Sequence, residues 1–168
     1  MIIAGIDGAT NKTGISIFKD GKYIEHTLID LHLMKNPDIR IPKMMKEICD
    51  YIGKYNVDKI IMEESMMTNN IDTVKKLSNV AGAVMYYATS NNIEFEFVLP
   101  SEWRKIIGLR QGRGIPKEIL KSEAIMAVKQ EYGMDLTNDE AEAILIARSG
   151  FNLSKIIIKD SVFTTQND

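Results

Sequence analysis

Carboxylates stand where buried elements of this chain end or begin. Asp7 closes the apolar run 1–6, and Glu63 and Glu64 close the run from Val57 to Met62. Asp139 and Glu142 lie three apart in the stretch TNDEAEAILIA, residues 137–147. A charge at the end of a buried strand is costly unless it is paired or bound to a cation. Strand side chains alternate, so Glu63 and Glu64 must point to opposite faces, and only one of them can join a common site. An i,i+3 spacing puts Asp139 and Glu142 on one face of a helix. Each acid also has a plainer reading. Asp7 fits a solvated strand end, and acids in a first helical turn complement the helix dipole. Glu140 fits a capping box, Thr137-Asn138-Asp139-Glu140, with its side chain reaching back to the cap amide. As a set, however, a strand-end Asp, a strand-end Glu and an acidic helical pair can converge on one side of a sheet. Hard oxygen ligands of this kind suit magnesium or manganese. Two such ions about 4 Å apart can clamp the attacking and leaving oxygens of a phosphodiester displacement.

A second constellation is basic. From Arg104 to Lys121 there are six basic residues (Arg104, Lys105, Arg110, Arg113, Lys117, Lys121) against one acid, Glu118, a local balance of +5. It spans the glycine-punctuated loop RQGRG and fits either phosphate contacts with salt-dependent binding or a solvated surface. The formal net charge of the whole chain is −2, so affinity for nucleic acid must rest on such local charge. Trp103 reads either as a ring that stacks on a base or, more simply, as a core side chain beside an amphipathic helix.

The elements that must position these groups follow from periodicity. Strands are expected at Met1 to Asp7, Thr13 to Phe18 and Lys22 to Ile29, the last two joined at Asp20-Gly21, a strong hairpin signal. Ile41, Met44, Met45, Ile48 and Ile52 recur at helical spacing, with Pro42 near the helix start. A strand at Val57 to Glu63, a long helix at Asp72 to Thr89 and a strand at Ile93 to Leu99 follow. Ser101 is placed to cap a short helix carrying Trp103. Pro116 opens a helix that Gly133 ends, and Thr137 opens a last one that runs to about Ser149. The order β-β-β-α-β-α-β-α-α-α implies an α/β fold, a mixed sheet covered by helices. Residues 1–150 form the expected domain, and 151–168 a strand-like segment and polar tail.

With 168 residues, 45% of them apolar, the chain suits one domain with a real core. The single cysteine, Cys49, and the two histidines, His26 and His32, leave too few soft ligands for a zinc cluster. No apolar run approaches the roughly 18 residues of a membrane span. No signal peptide is expected, and a reducing, cytoplasmic home fits the lone thiol.

Three stretches resemble the RuvC family of Holliday-junction resolvases, within the RNase H-like superfamily: IAGIDGATNKTGISIF at 3–18, IIMEESMMTNNIDTVKKL at 60–77 and TNDEAEAILIA at 137–147. The segment LPSEWRKIIG at 99–108 is most similar to small phage-encoded members. The resemblance implies an RNase H-like five-stranded mixed sheet flanked by helices, and metal-dependent cleavage of branched DNA with two Mg2+ or Mn2+ ions per site. By position it makes Asp7, Glu63, Asp139 and Glu142 the catalytic metal ligands, Glu142 standing where the family usually has Asp. It sets Lys121 by the scissile phosphate, with Lys117 one turn earlier as the alternative. Arg104, Lys105, Arg110, Arg113 and Lys117 fall on the DNA-contacting side. Relatives place an aromatic after the second acid, where this chain has Ser65-Met66-Met67, and Met66 is expected to act there as an apolar wedge. The helix 72–89 matches the element through which relatives form homodimers. Two other readings share the first motif or the fold. Asp-Gly-x-x-x-x-Thr-Gly also opens actin-like ATPases, which need two such domains around the nucleotide, and a non-catalytic DNA-binding module of the same fold would need no intact set of acids.

Overall fold

The computed structural model describes residues 1–65, 70–112 and 114–151. Its elements follow the expected order: β1 (Ile2–Asp7), β2 (Lys12–Lys19), β3 (Lys22–Asp30), α1 (Pro37–Ile52), β4 (Lys59–Glu63), α2 (Ile71–Ser90), β5 (Glu94–Val98), α3 (Pro100–Ile107), α4 (Lys117–Tyr132) and α5 (Asn138–Ser149). The five strands form one sheet in the order β3-β2-β1-β4-β5. β2 pairs antiparallel with β1 and with β3, while β4 runs parallel to β1 and to β5. Asp20 and Gly21 both take positive φ in the β2–β3 turn, as a two-residue hairpin loop matched to strand twist requires.

Strand alternation divides the core in two. Ala4, Ile6, Ile15, Ile17, Ile60 and Met62 face α1 and α2, where Met44, Ile48, Val80 and Val84 bury against them. Ile3, Phe18 and Ile61 face the other way, onto Trp103, Ala124, Ala127, Ile144 and Ala147 of α3, α4 and α5. The same parity puts Asp7 with Ile3, and Glu63 with Ile61, on the α5 side, and turns Glu64 away. α5 lies almost on the strand backbones. A Cβ on Gly5 would stand 2.4 Å from the Ala147 amide nitrogen, and one on Gly14 would stand 2.0 Å from the Asp139 carbonyl oxygen. Only glycine permits that approach. Ser16, between them on the same face, donates its hydroxyl to the Ala143 carbonyl at 2.8 Å.

Two helix starts differ from expectation. α1 begins at Pro37, with the Asn36 side chain accepting from the Asp38 amide, so Pro42 lies inside the helix. A proline is tolerated in the first turn of a helix because its missing N–H has no partner there; Pro37 meets that rule, whereas Pro42, the sixth residue, lies past it and leaves the Asp38 carbonyl without its helical donor. α3 begins at Pro100 rather than after Ser101: the Leu99 amide donates to the Glu102 carboxylate at 2.9 Å, which closes the turn before Ser101 can cap it. Beyond Phe151, the expected C-terminal segment lies outside the described residues.

Candidate active site

The C-terminal ends of β1 and β4 are adjacent because the two strands are parallel neighbours, in register from Ile3 with Lys59 to Ile6 with Met62. Asp7 and Glu63 therefore leave the sheet side by side on the α5 face. Asp7 is also the register partner of Gly14, over which the Asp139 backbone packs. That contact brings the start of α5, with Asp139 in its first turn and Glu142 one turn on, to the Asp7 end of the strands. The capping box forms as expected, with the Thr137 amide and hydroxyl donating to Glu140 at 3.0 and 2.6 Å. Glu140 is thereby committed to the helix end, and Asp139 and Glu142 remain for the site.

Electrostatics show the convergence. Burial raises the Asp7 carboxyl well above its ordinary range, and Glu142, Glu63 and Asp139 push it further, while Lys121 opposes them. Burial likewise lifts Glu63 to about 7, the Trp103 bond pulls down, Glu142 pushes up and Arg104 pulls down. Glu142 is raised, again first by burial and also by Asp139, with Asn138, Arg104 and Lys121 drawing it down. So Asp7 feels the other three acids, Glu63 feels Glu142 and Glu142 feels Asp139, and protein cations compensate only in part. Two of the head groups have donors of their own. Glu63 accepts from the Trp103 indole at 2.7 Å. Glu142 accepts from Asn138 Nδ2 at 2.9 Å and lies 3.5 Å from Arg104 Nη1. Among the described residues, no three His, Cys, Asp or Glu side chains already form a metal cage. The acids are gathered, and the fit to a cation lies in their oxygen chemistry and their unrelieved mutual repulsion.

The basic residues separate into two kinds. Lys121, exposed on α4, is close enough to act on both Asp7 and Glu142. Lys117, at the start of α4, and Lys105, on α3, are also exposed. Arg104 is a correction. Expected on the DNA-contacting side, it is 2% exposed and its guanidinium is fully engaged. Nε donates to the Arg110 carbonyl at 2.6 Å, and Nη2 donates to the Leu120 carbonyl and to Glu123 at 2.9 Å each. Glu123, itself buried, also accepts from Arg110 Nε at 3.1 Å. A buried charge survives only when paired in this way, and the pairing removes Arg104 from any phosphate. Arg110 is partly exposed beside it. Met66 and Arg113 lie outside the described residues. The residues not anticipated are Glu123 and the indole of Trp103. Glu123 carried a signal, an acid on the face of α4 that also holds Ala124 and Ala127. Trp103 is core, as the simpler reading had it, but its N–H ends on a catalytic candidate.

The family model described as crossover junction endodeoxyribonuclease RuvC matches residues 3–145, a stretch that contains every acid of the site. The chain belongs to the RuvC family. RuvC of Brachyspira hyodysenteriae is 25% identical over 161 residues, covering 93% of this chain and 97% of the relative. RuvC of Chlorobium phaeovibrioides is 26% identical over 117 residues, 67% of this chain, and the match spans 62% of that relative's length. Among solved structures, Thermus thermophilus RuvC in complex with a Holliday junction superposes with a TM-score of 0.70 at 15% identity, covering 89% of this chain and 92% of that one. The fowlpox virus resolvase, solved with junction DNA, gives 0.59 at 14% identity, covering 90% and 97%. These likenesses establish the RNase H-like resolvase fold, with its mixed five-stranded sheet. Among the described residues, no helix is long and apolar enough to cross a membrane.

Proposed function

We propose that this RuvC-family chain is a divalent-cation-dependent endonuclease that hydrolyses phosphodiester bonds in four-way DNA junctions, acting in the cytoplasm. The observation that carries the reading is the convergence of Asp7, Glu63, Asp139 and Glu142 at the C-terminal ends of the central strands β1 and β4, with burial and repulsion at Asp7, Glu63 and Glu142 that the neighbouring cations only partly relieve. Support comes from the family and from the relatives solved with junction DNA. The four carboxylates would hold Mg2+ or Mn2+, two ions per site. Held there, such ions would supply Lewis acidity toward water and toward the phosphate oxygens. Lys121 stands to meet charge that develops on those oxygens. Lys105, Lys117 and Arg110, with Arg113, hold the flanking backbone.

Cutting two opposed strands of a junction needs two sites related by a two-fold axis, so a homodimer follows. α2 offers the face: Ile71, Met85 and Tyr86 are large apolar side chains exposed on it.

The test uses a synthetic four-way junction and a linear duplex of the same sequence, with and without Mg2+. Cleavage confined to the junction and to Mg2+ supports the reading. Asp7→Asn should bind the junction yet cleave it roughly 10³-fold more slowly or worse, since several kcal/mol of transition-state stabilisation leave with the ions. Glu64→Gln, on the opposite strand face, should remain close to the parent. Tight junction binding without cleavage by the parent would instead indicate a binding module of the same fold.

A further inference from the structure

We propose that Trp103 is a positioning residue for Glu63, its indole N–H fixing one carboxylate oxygen so that the other is presented to a divalent cation. The inference rests on the metal-dependent reading of the site above. It begins with burial. Trp103 is 0% exposed, and a buried indole N–H needs an acceptor. The acceptor is Glu63 Oε2 at 2.7 Å, forty residues away in the chain. A core tryptophan could have met this need with a backbone carbonyl, but here it meets it with a carboxylate of the candidate site.

The topology makes this contact a property of the fold. Glu63 is the register partner of Val98 on β5, and the Glu64 amide donates to the Val98 carbonyl at 2.9 Å. From Val98 the chain passes through Leu99 directly into α3, whose first turn sets Trp103 beside Glu63. The indole is then locked from behind. The Arg104 guanidinium lies 4.9 Å from the Trp103 ring centroid and is held by its bonds to Arg110, Leu120 and Glu123. Arg104 also reaches toward Glu142 at 3.5 Å. Two consecutive residues of one short helix thus touch two acids that arrive on different elements.

A free glutamate loses rotamer freedom when it becomes a ligand, and a donor already in place removes that cost from the binding step. Donors behind metal ligands change metal affinity by roughly 10- to 100-fold when deleted. Trp103→Phe keeps the ring in the core and deletes the donor. Its Kd for Mn2+, measured by calorimetry without DNA, should rise by roughly 10- to 100-fold. The Mg2+ concentration for half-maximal junction cleavage should rise by the same factor, while the rate at saturating Mg2+ stays near that of the parent. A packing role alone would lower thermal stability and leave the metal Kd where it was.

Trp103 is the only tryptophan in the chain, so it also reports directly. In the intact parent, Mg2+ added without DNA should change its emission saturably, and Glu63→Gln should abolish the change. This arm stands even if Trp103→Phe fails to fold. An unchanged Mn2+ affinity in folded Trp103→Phe, or an unresponsive emission in a parent that calorimetry shows to bind metal, overturns the role of Trp103 and leaves the metal site intact. A parent that binds no divalent ion overturns the metal reading itself.

Discussion

Glu63→Gln should stabilise the metal-free protein above neutral pH while abolishing its cleavage. In the folded chain the Glu63 carboxyl is lifted by burial from its ordinary value of 4.5 to about 7. Between those values the folded state holds a proton that the unfolded state has released. Stability is therefore greatest at or below the unfolded value and is lost as pH rises through about 7. At 1.36 kcal/mol per pH unit the ionised side chain costs on the order of 3 kcal/mol, an upper figure because Glu142 shares the same repulsion. Glutamine keeps the shape and an oxygen to accept from Trp103, but carries no charge. At pH 8 in chelator, the variant should melt roughly 6 to 12 °C above the parent, at about 2–4 °C per kcal/mol for a chain of this size. At pH 5 the parent carboxyl is protonated and the two should melt together. Added Mg2+ should raise the parent and leave the variant unmoved. Melting curves at both pH values, with chelator and with Mg2+, give all four numbers. A parent more stable than Glu63→Gln at pH 8 in chelator, or a gap of the same size at both pH values, would refute the account of the site as a set of uncompensated acids.

Lys121→Ala should slow single-turnover junction cleavage at saturating protein by roughly 10²-fold with little loss of binding, as expected for a contact made mainly in the transition state; a parental rate, with Lys117→Ala slow instead, would move the role one turn earlier. Lys105→Ala should do the reverse, weakening junction binding and flattening its salt dependence by about one unit of slope while saturated cleavage persists. Gly14→Ala should destabilise the fold and reduce cleavage together, because its Cβ would lie 2.0 Å from the Asp139 carbonyl and must push the first turn of α5 away from Asp7; a parental melting point would show that the helix seat is not tight. Met85→Glu with Tyr86→Glu on α2 should turn a dimer into a monomer by light scattering, and a parent that is already monomeric with full cleavage would contradict the dimer.

What was legible in the sequence was what local rules decide. Alternation along the strand left only one of Glu63 and Glu64 for the site, the resemblance named Glu63, and the parity of the folded strands sets Glu63 on the same face as Asp7. The capping box took Glu140 out of contention and left the Asp139 and Glu142 pair. The i,i+3 spacing then did the rest, because a helix seated across those strand ends has one face to offer. Arg104 was not legible. In WRKIIG an arginine looks like a surface residue, and its burial is decided by Glu123 and by carbonyls at 110 and 120, none of which the local pattern can pair with it. The start of α1 failed for another reason, since Pro37 and Pro42 are equally legal first-turn residues and only the Asn36 cap separates them.

The division has a physical cause that bears on how the site works. Bringing four acids together requires only strand parity and one close helix contact, and both are cheap to encode. Keeping those acids tolerable when they meet requires charges from elsewhere, and these arrive through long-range contacts. Trp103 donates to Glu63, Arg104 stands by Glu142, and Glu123 holds Arg104 in place from α4. Replacing Arg104 should therefore harm the protein twice. It would leave Glu123 buried without its main partner, and removing one member of a buried pair typically costs about 3–5 kcal/mol. It would also strip Glu142 of a neighbouring positive charge that now draws its carboxyl down. A substitution that repairs only the first defect separates the two. Arg104→Met with Glu123→Leu offers an apolar pair of suitable length, so folding should recover while the Glu142 carboxyl stays more strongly raised. Cleavage by that double variant should then need a higher pH or more Mg2+ than the parent. If it cleaves like the parent at every pH, Arg104 serves only the fold.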